Sequence, residues 1–256
     1  MAIPIKSDAE IEKMRQAADI LVKTHELISG HIKIGITTEE LDRIAEEYIL
    51  SQGAVPSFKG YHGYPATICA SINDEVVHGI PSQRKLQQGD VLSVDIGVYL
   101  NGYHSDSARS YVIGQPSPEI QRLIDVTKQS FYEGLKFAKV GYHLSDISQA
   151  IQQYVEANGF GVVRDLVGHG IGKELHEEPQ VPNYKTPGRG PKLQKGMVLA
   201  IEPMVNMGTW EVKILGDDWT VVTKDGMPSA HYENTVVITD GEPEILTIPK
   251  TDVEVR

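Results

Sequence analysis

The chain has 256 residues, 40% hydrophobic and 23% charged, a balance that suits a soluble globular protein with a sizeable core. Its formal charge of −11, from 24 basic against 35 acidic residues, argues against broad binding to nucleic-acid phosphates, which needs a basic face. The single cysteine, Cys69, excludes an internal disulfide, no apolar run marks a signal peptide, and none approaches the roughly 20 residues of a membrane span, so a cytoplasmic protein is expected.

Residues 7–30 read as a helix: Ser7 or Asp8 caps it, apolar positions recur at Ile11, Met14, Ala18, Leu21 and Val22, and Gly30 stops it. TTEELDRIAEEYILSQG (37–53) reads as a second helix, capped by Thr37 or Thr38 and closed at Gly53. VLSVDIG (91–97) is apolar enough for a buried strand, where an ionised Asp95 is costly unless paired or bound to metal. In YLNGYHSD, Asn101-Gly102 predicts a two-residue type I′ hairpin that pairs Leu100 with Tyr103 and Gly97 with Asp106. Asp95 and Asp106 then share a face as diagonal neighbours roughly 7–8 Å apart at the backbone, with Gly97 leaving that face open between them.

Beyond GQPSPE (114–119) the pattern restarts. PEIQRLIDVTKQSFYEGLKFAK (118–139) and LSDISQAIQQYVEANG (144–159) read as helices separated by Gly141. An offset of 106 places Lys33 on Lys139, Gly35 on Gly141, Leu41 on Ile147, Tyr48 on Tyr154 and Gly53 on Gly159. GDVLSVD (89–95) likewise matches GMVLAIE (196–202), setting Asp95 over Glu202, and HSD (104–106) answers HYE (231–233), setting Asp106 over Glu233. The repeat predicts an α+β chain forming a single domain over 1–256, with pseudo-twofold halves at about 7–114 and 119–248 around one shared core.

Taken singly, each carboxylate reads as a solvated strand end, but the repeat relates them in pairs. Four carboxylates around one pocket cannot all stay ionised without cations, and two divalent ions balance them. GHGIGKELHEEP (168–179) supplies nitrogen. It is not the HExxH zinc helix, since position 180 is Gln180, and its glycines make only a weak dinucleotide signal. His169, on a Gly168/Gly170 backbone that permits close approach to neighbouring strands, is the candidate nitrogen ligand, and one imidazole among carboxylates favours Mn, Fe, Co or Zn.

NDEVVHGIP, SVDIGVYLNGYHSDSAR, GHGIGKELHEEP, AIEPM and HYENTVVI, in this order, resemble the type I methionine aminopeptidases in their short bacterial form, over residues 5–248. The resemblance implies the pita-bread fold, antiparallel sheets covered by helices, and a dinuclear metal site of Asp95, Asp106, His169, Glu202 and Glu233. It makes His78 and His176 the non-ligand active-site histidines and Glu202 the acceptor of the water's proton. Tyr61, Tyr64, Cys69 and Trp219 become the pocket for the methionine side chain. Phe58 and Val77 stand where some members carry Cys, and Leu175 where some carry Phe. The implied activity is release of N-terminal methionine ahead of a small, uncharged residue, on nascent chains, with transient ribosome association. Since Ala2 is small, the chain's own Met1 is expected to be removable. Partners from the nucleic-acid and membrane classes are not expected, and a monomer is the default. Two alternatives stand beside this. A proline-directed peptidase on the same fold usually carries an extra N-terminal domain, and a non-catalytic relative normally loses ligands. Glu177 and Glu178 read as structural, and the basic residues from Lys185 to Lys195 as a solvated loop.

Overall fold

The computed structural model describes residues 3–248, so Met1 and Ala2 lie outside the described residues. Helix α1 (Asp8–His31) opens on a capping box between Ser7 and Glu10. It runs one residue past Gly30, because the His31 Nδ1–H donates to the Leu27 carbonyl at 2.8 Å and supplies a partner for the last turn. Helix α2 (Thr38–Ser51) has a second box, in which Thr37 Oγ1 accepts from the Glu40 amide at 3.1 Å.

Helix α3 (Pro118–Leu135) starts at Ser117 with Pro118 in its first turn, and α4 spans Leu144–Ala157. α3 stops four residues short of the expected Lys139. There the amides of Phe137 and Ala138 bond to the carbonyls of Gly134 and Leu135, a tighter turn that drops Ala138 into the core. Gly134 lets the two helices meet, since a Cβ there would lie 2.7 Å from Ile151. The repeat reappears as backbone geometry: Gly35 and Gly141 adopt φ of 89° and 102°, and Gly53 and Gly159 adopt 73° and 81°.

Every strand pairing among the described residues is antiparallel. In the first half β1 (Ile68–Ile72) and β3 (Tyr103–Val112) flank the long β2 (Val91–Leu100). Asn101 and Gly102 both take positive φ, 52° and 88°, and the hairpin has the predicted register, Leu100 with Tyr103 and Gly97 with Asp106. In the second half β4 (Gly168–Gly170), β5 (Glu177–Val181), β6 (Val198–Ile201) and β8 (Asn234–Val237) share one sheet, with β6 between β4 and β8. The short β7 (Ser229–His231) pairs with Met204–Asn206.

The core follows the same division. One cluster packs α1 and α2 against the first sheet, around Leu21, Leu41, Ile68 and Val94. A second packs α3 and α4 against the later strands, around Phe131, Ile151, Leu199 and Val236. A third joins them, bringing Ile11 and Met14 of α1 to Ile171, Val198 and Val237 and to the cavity wall at Phe58, Tyr64 and Cys69. In this α+β architecture Asp95 and Asp106 lie within β2 and β3 and not at the strand ends expected, because both strands run on past them, whereas Glu202 and Glu233 follow the ends of β6 and β7.

Candidate functional site

A cavity of about 250 Å³ is lined by Asp95, Asp106, His169, Glu202, Glu233, His78, His176, Tyr61, Tyr64, Cys69 and Trp219. All eleven residues singled out in the sequence therefore meet at one place, with Phe58, His62 and Leu175 beside them. Val77 does not join them, being buried in a strand pairing with Val221.

Asp95 and Asp106 come from adjacent strands of the hairpin, Asp95 opposite Ala108 and Asp106 opposite Gly97, and both line the cavity. The expectation of an open face at Gly97 fails: a Cβ there would lie 2.7 Å from both Phe58 and Ser57, so a loop from outside the hairpin fills that space. Glycine is needed for this close approach, and the Phe58 ring becomes part of the cavity wall.

His169 lies centrally in the second sheet, opposite Ala200 of β6, two residues before Glu202. Its Nδ1 stands 2.9 Å from the Gly170 carbonyl, which can only accept, so Nδ1 carries the proton and Nε2 keeps a lone pair. That Nε2 is 3.6 Å from Glu202 Oε1. The flanking glycines are required by contact: a Cβ at Gly168 would meet Ala200 O at 2.3 Å, and one at Gly170 would meet Glu178 O at 2.2 Å. Glu233 follows β7, where its amide donates to Ala108 O at 3.1 Å.

The electrostatics are those of a site suited to cations. Burial pushes the Asp95 carboxyl up to about 6 and that of Glu202 up to about 8. Burial, followed by the neighbouring carboxylates, raises Asp106 and Glu233 well above the usual range. Among the described residues, Asp95 Oδ1, Asp106 Oδ1 and Glu233 Oε1 are buried with no hydrogen-bond partner. Such oxygens are costly in a folded interior unless a cation uses them. Donor atoms of Asp106, His169 and Glu233 lie within 4.8 Å of one another, as do those of Glu202, His231 and Glu233. The donor set therefore fits divalent metal.

His231 was not singled out from the sequence. Its buried Nε2 lacks a hydrogen-bond partner and stands 3.6 Å from Glu202 Oε2. The only hint was its place in the repeat, opposite His104 and two residues before Glu233. Arg109 was also missed. It donates to the carbonyls of Ala108 and Glu233 at 2.7 and 2.6 Å, and to Asn234 Oδ1 and Thr247 O at 2.7 and 2.8 Å, joining the halves directly beneath the acids. Thr235 Oγ1 does the same at Asp106, accepting from its amide and donating to its carbonyl.

Around the acids stand the aromatic and imidazole groups. Trp219 meets Tyr64 edge-on at 5.1 Å between ring centroids and His78 at 6.3 Å. The Tyr64 hydroxyl points between the carbonyls of Ile68 and Gly79, which fixes that wall. His78 has φ of 59°, a left-handed backbone that a non-glycine residue holds only where its surroundings enforce it. The His176 ring stands 4.3 Å from that of His169, and its Nδ1 is 2.7 Å from the Tyr61 hydroxyl. Desolvation, then like-charged imidazole neighbours, lowers His78 and His176 to about 4, although one edge of His176 stays open to solvent. Glu177 is structural: it pairs with buried Lys6 at 2.5 Å and accepts from the Lys173 amide at 2.8 Å, holding the loop that carries His176.

Residues 12–240 match the model of metallopeptidase family M24. The chain is 60% identical over 247 residues to the methionine aminopeptidase of Clostridium acetobutylicum, spanning 96% of this chain and 99% of that protein. It is 55% identical over 242 residues to methionine aminopeptidase 1 of Bacillus subtilis, spanning 94% and 98% of the two. Among solved structures it is similar to the methionine aminopeptidase of Thermotoga maritima, with a TM-score of 0.94, 43% identity and coverage of 97% and 100%.

Proposed function

The chain belongs to metallopeptidase family M24 and is a metal-dependent hydrolase that removes N-terminal methionine; on that premise we propose how its cleft does so. The observation that carries the proposal is the ring of unpartnered buried acid oxygens facing one lone-pair nitrogen beside an aromatic cavity. Asp95, Asp106, His169, Glu202 and Glu233 would hold two divalent ions, from among Co, Mn, Fe and Zn. Metal there supplies positive charge against the carboxylates, polarises a carbonyl and lowers the pKa of a water.

The remaining roles belong to the side chains. Tyr64, Cys69 and Trp219, joined by Phe58, receive the methionine side chain, since a polarizable thioether suits an aromatic wall. At about 250 Å³ the cavity is smaller than the roughly 300–1,000 Å³ of drug-sized ligand sites, which favours one side chain with a small residue after it. Glu202, whose carboxylate faces His169 and His231 at the cavity, accepts the proton of the attacking water. A neutral His176 donates to the carbonyl oxygen as it gains charge, and His78 contacts the scissile amide and helps its nitrogen leave. Because ligands come from both halves, the chain works as one catalytic unit. Its natural substrates are nascent chains, met as a monomer in the cytoplasm through transient ribosome contact. Among the described residues no helix is long and apolar enough to cross a membrane.

A peptide panel with added metal tests this reading. Methionine should be released from Met-Ala-Ser, and little from Pro-first or X-Pro peptides. Preferential cleavage of X-Pro peptides would instead indicate proline-directed chemistry, and binding without cleavage a non-catalytic module.

A further inference from the structure

Tyr61 lines the cavity beside the other aromatic residues, but its hydroxyl has a partner of its own. It lies 2.7 Å from His176 Nδ1, across 115 residues of sequence. We propose that Tyr61 is a positioning residue that donates its O–H to His176 Nδ1, fixing the imidazole's plane and its Nε2–H tautomer for the substrate carbonyl. The inference rests on the reading that His176 faces that carbonyl.

Three observations support the direction of the bond. A separation of 2.7 Å is the usual length for an O–H donor, whereas N–H donors sit nearer 2.9–3.0 Å. A phenol is a better donor and a poorer acceptor than a neutral imidazole, so O–H to Nδ1 is the favoured pairing. The far edge of the ring borders the cavity, where an Nε2–H can donate to a carbonyl oxygen and a lone pair cannot.

The loop is built for this placement. Gly60, His62 and Gly63 all take left-handed φ, 87°, 48° and 91°. The Tyr61 amide donates to Phe58 O, and its carbonyl accepts from the Tyr64 amide, each at 2.9 Å. A left-handed His62 is strained, and its neighbours hold it there. On the opposite side His169 meets the His176 ring edge to face, so the imidazole is held between a hydroxyl and a ring.

The test uses zinc-loaded full-length protein, with Met-Ala-Ser as substrate. Tyr61→Phe keeps the aromatic wall and removes only the hydroxyl, so kcat should fall about 10-fold or more while KM stays within about twofold. Nitrogen NMR should report a protonated Nε2 and a hydrogen-bonded Nδ1 at His176 in the parent, with the Nδ1 resonance displaced in Tyr61→Phe. In a His176→Ala background, Tyr61→Phe should add no further loss. Parent-like kcat and an unmoved His176 spectrum in Tyr61→Phe overturn the inference and leave Tyr61 a wall. An additional loss in the His176→Ala background also overturns it, since Tyr61 would then act on substrate by itself. Parent-like turnover of His176→Ala overturns the role of His176 together with the inference, whereas a slow His176→Ala beside a normal Tyr61→Phe overturns the inference alone.

Discussion

Glu202 concentrates the electrostatic conflict of the site. Its carboxyl is buried beside His169 and His231, each 3.6 Å away, and without a cation its pKa is pushed up to about 8. A carboxyl whose folded pKa lies above its unfolded value near 4 binds its proton more tightly when folded. That stabilisation is complete below pH 4 or so and is lost as pH rises through about 6 for Asp95 and about 8 for Glu202. The imidazoles have the opposite sign. His169 is lowered to about 3, chiefly by burial, and His231 to about 4, so their penalty applies only below the ordinary value near 6.5. Metal-free protein should therefore melt at progressively lower temperature from about pH 6.5 to 8.5, where only the acids contribute slope, and saturating metal should flatten that slope. Thermal melts across this window check it; a metal-free melting temperature that rises with pH would show that the acids are not held protonated.

Single elements place these residues, and they differ in how openly the sequence declares them. The Asn101-Gly102 hairpin and its register were legible because turn chemistry is local, and the register put Asp95 and Asp106 on one face. The open face at Gly97 was misread because Ser57 and Phe58 arrive from a loop whose position no periodicity encodes. In β4 the glycines were legible as a close approach, and the contacts give that reading numbers. Gly170→Ala would place a Cβ 2.2 Å from the Glu178 carbonyl, an overpacking against backbone expected to cost about 1–3 kcal/mol. It should also displace His169 and weaken metal binding about 10-fold. Gly216→Ala, with no atom within 4 Å of the new Cβ, should stay within about 0.5 kcal/mol and serves as the control. Melting temperature and bound metal measured on both variants decide this, and equal behaviour would mean that β4 yields more readily than its packing suggests.

At the scale of the whole molecule, the repeat explains why two halves with separate cores build one site. The first half carries Asp95 and Asp106 within its strands and the second carries Glu202 and Glu233 just after its own, and together they form a charge cluster that neither half holds alone. The repeat was legible because its glycines and acids keep their offsets. The fastening of the halves was not, because Arg109 and Thr235 act through partners more than 100 residues away, which no local pattern records. On the proposed mechanism this shared acid cluster holds the metal that powers methionine release. The most direct measurement strips the protein of metal and follows methionine release from Met-Ala-Ser while Mn or Co is added stoichiometrically, in the parent and in Asp106→Asn and His169→Ala. We expect no release without metal, recovery to a plateau by two equivalents in the parent, and weak metal binding with little recovery in both variants. Full release under excess chelator, or variants that bind metal and recover as the parent does, would contradict the account.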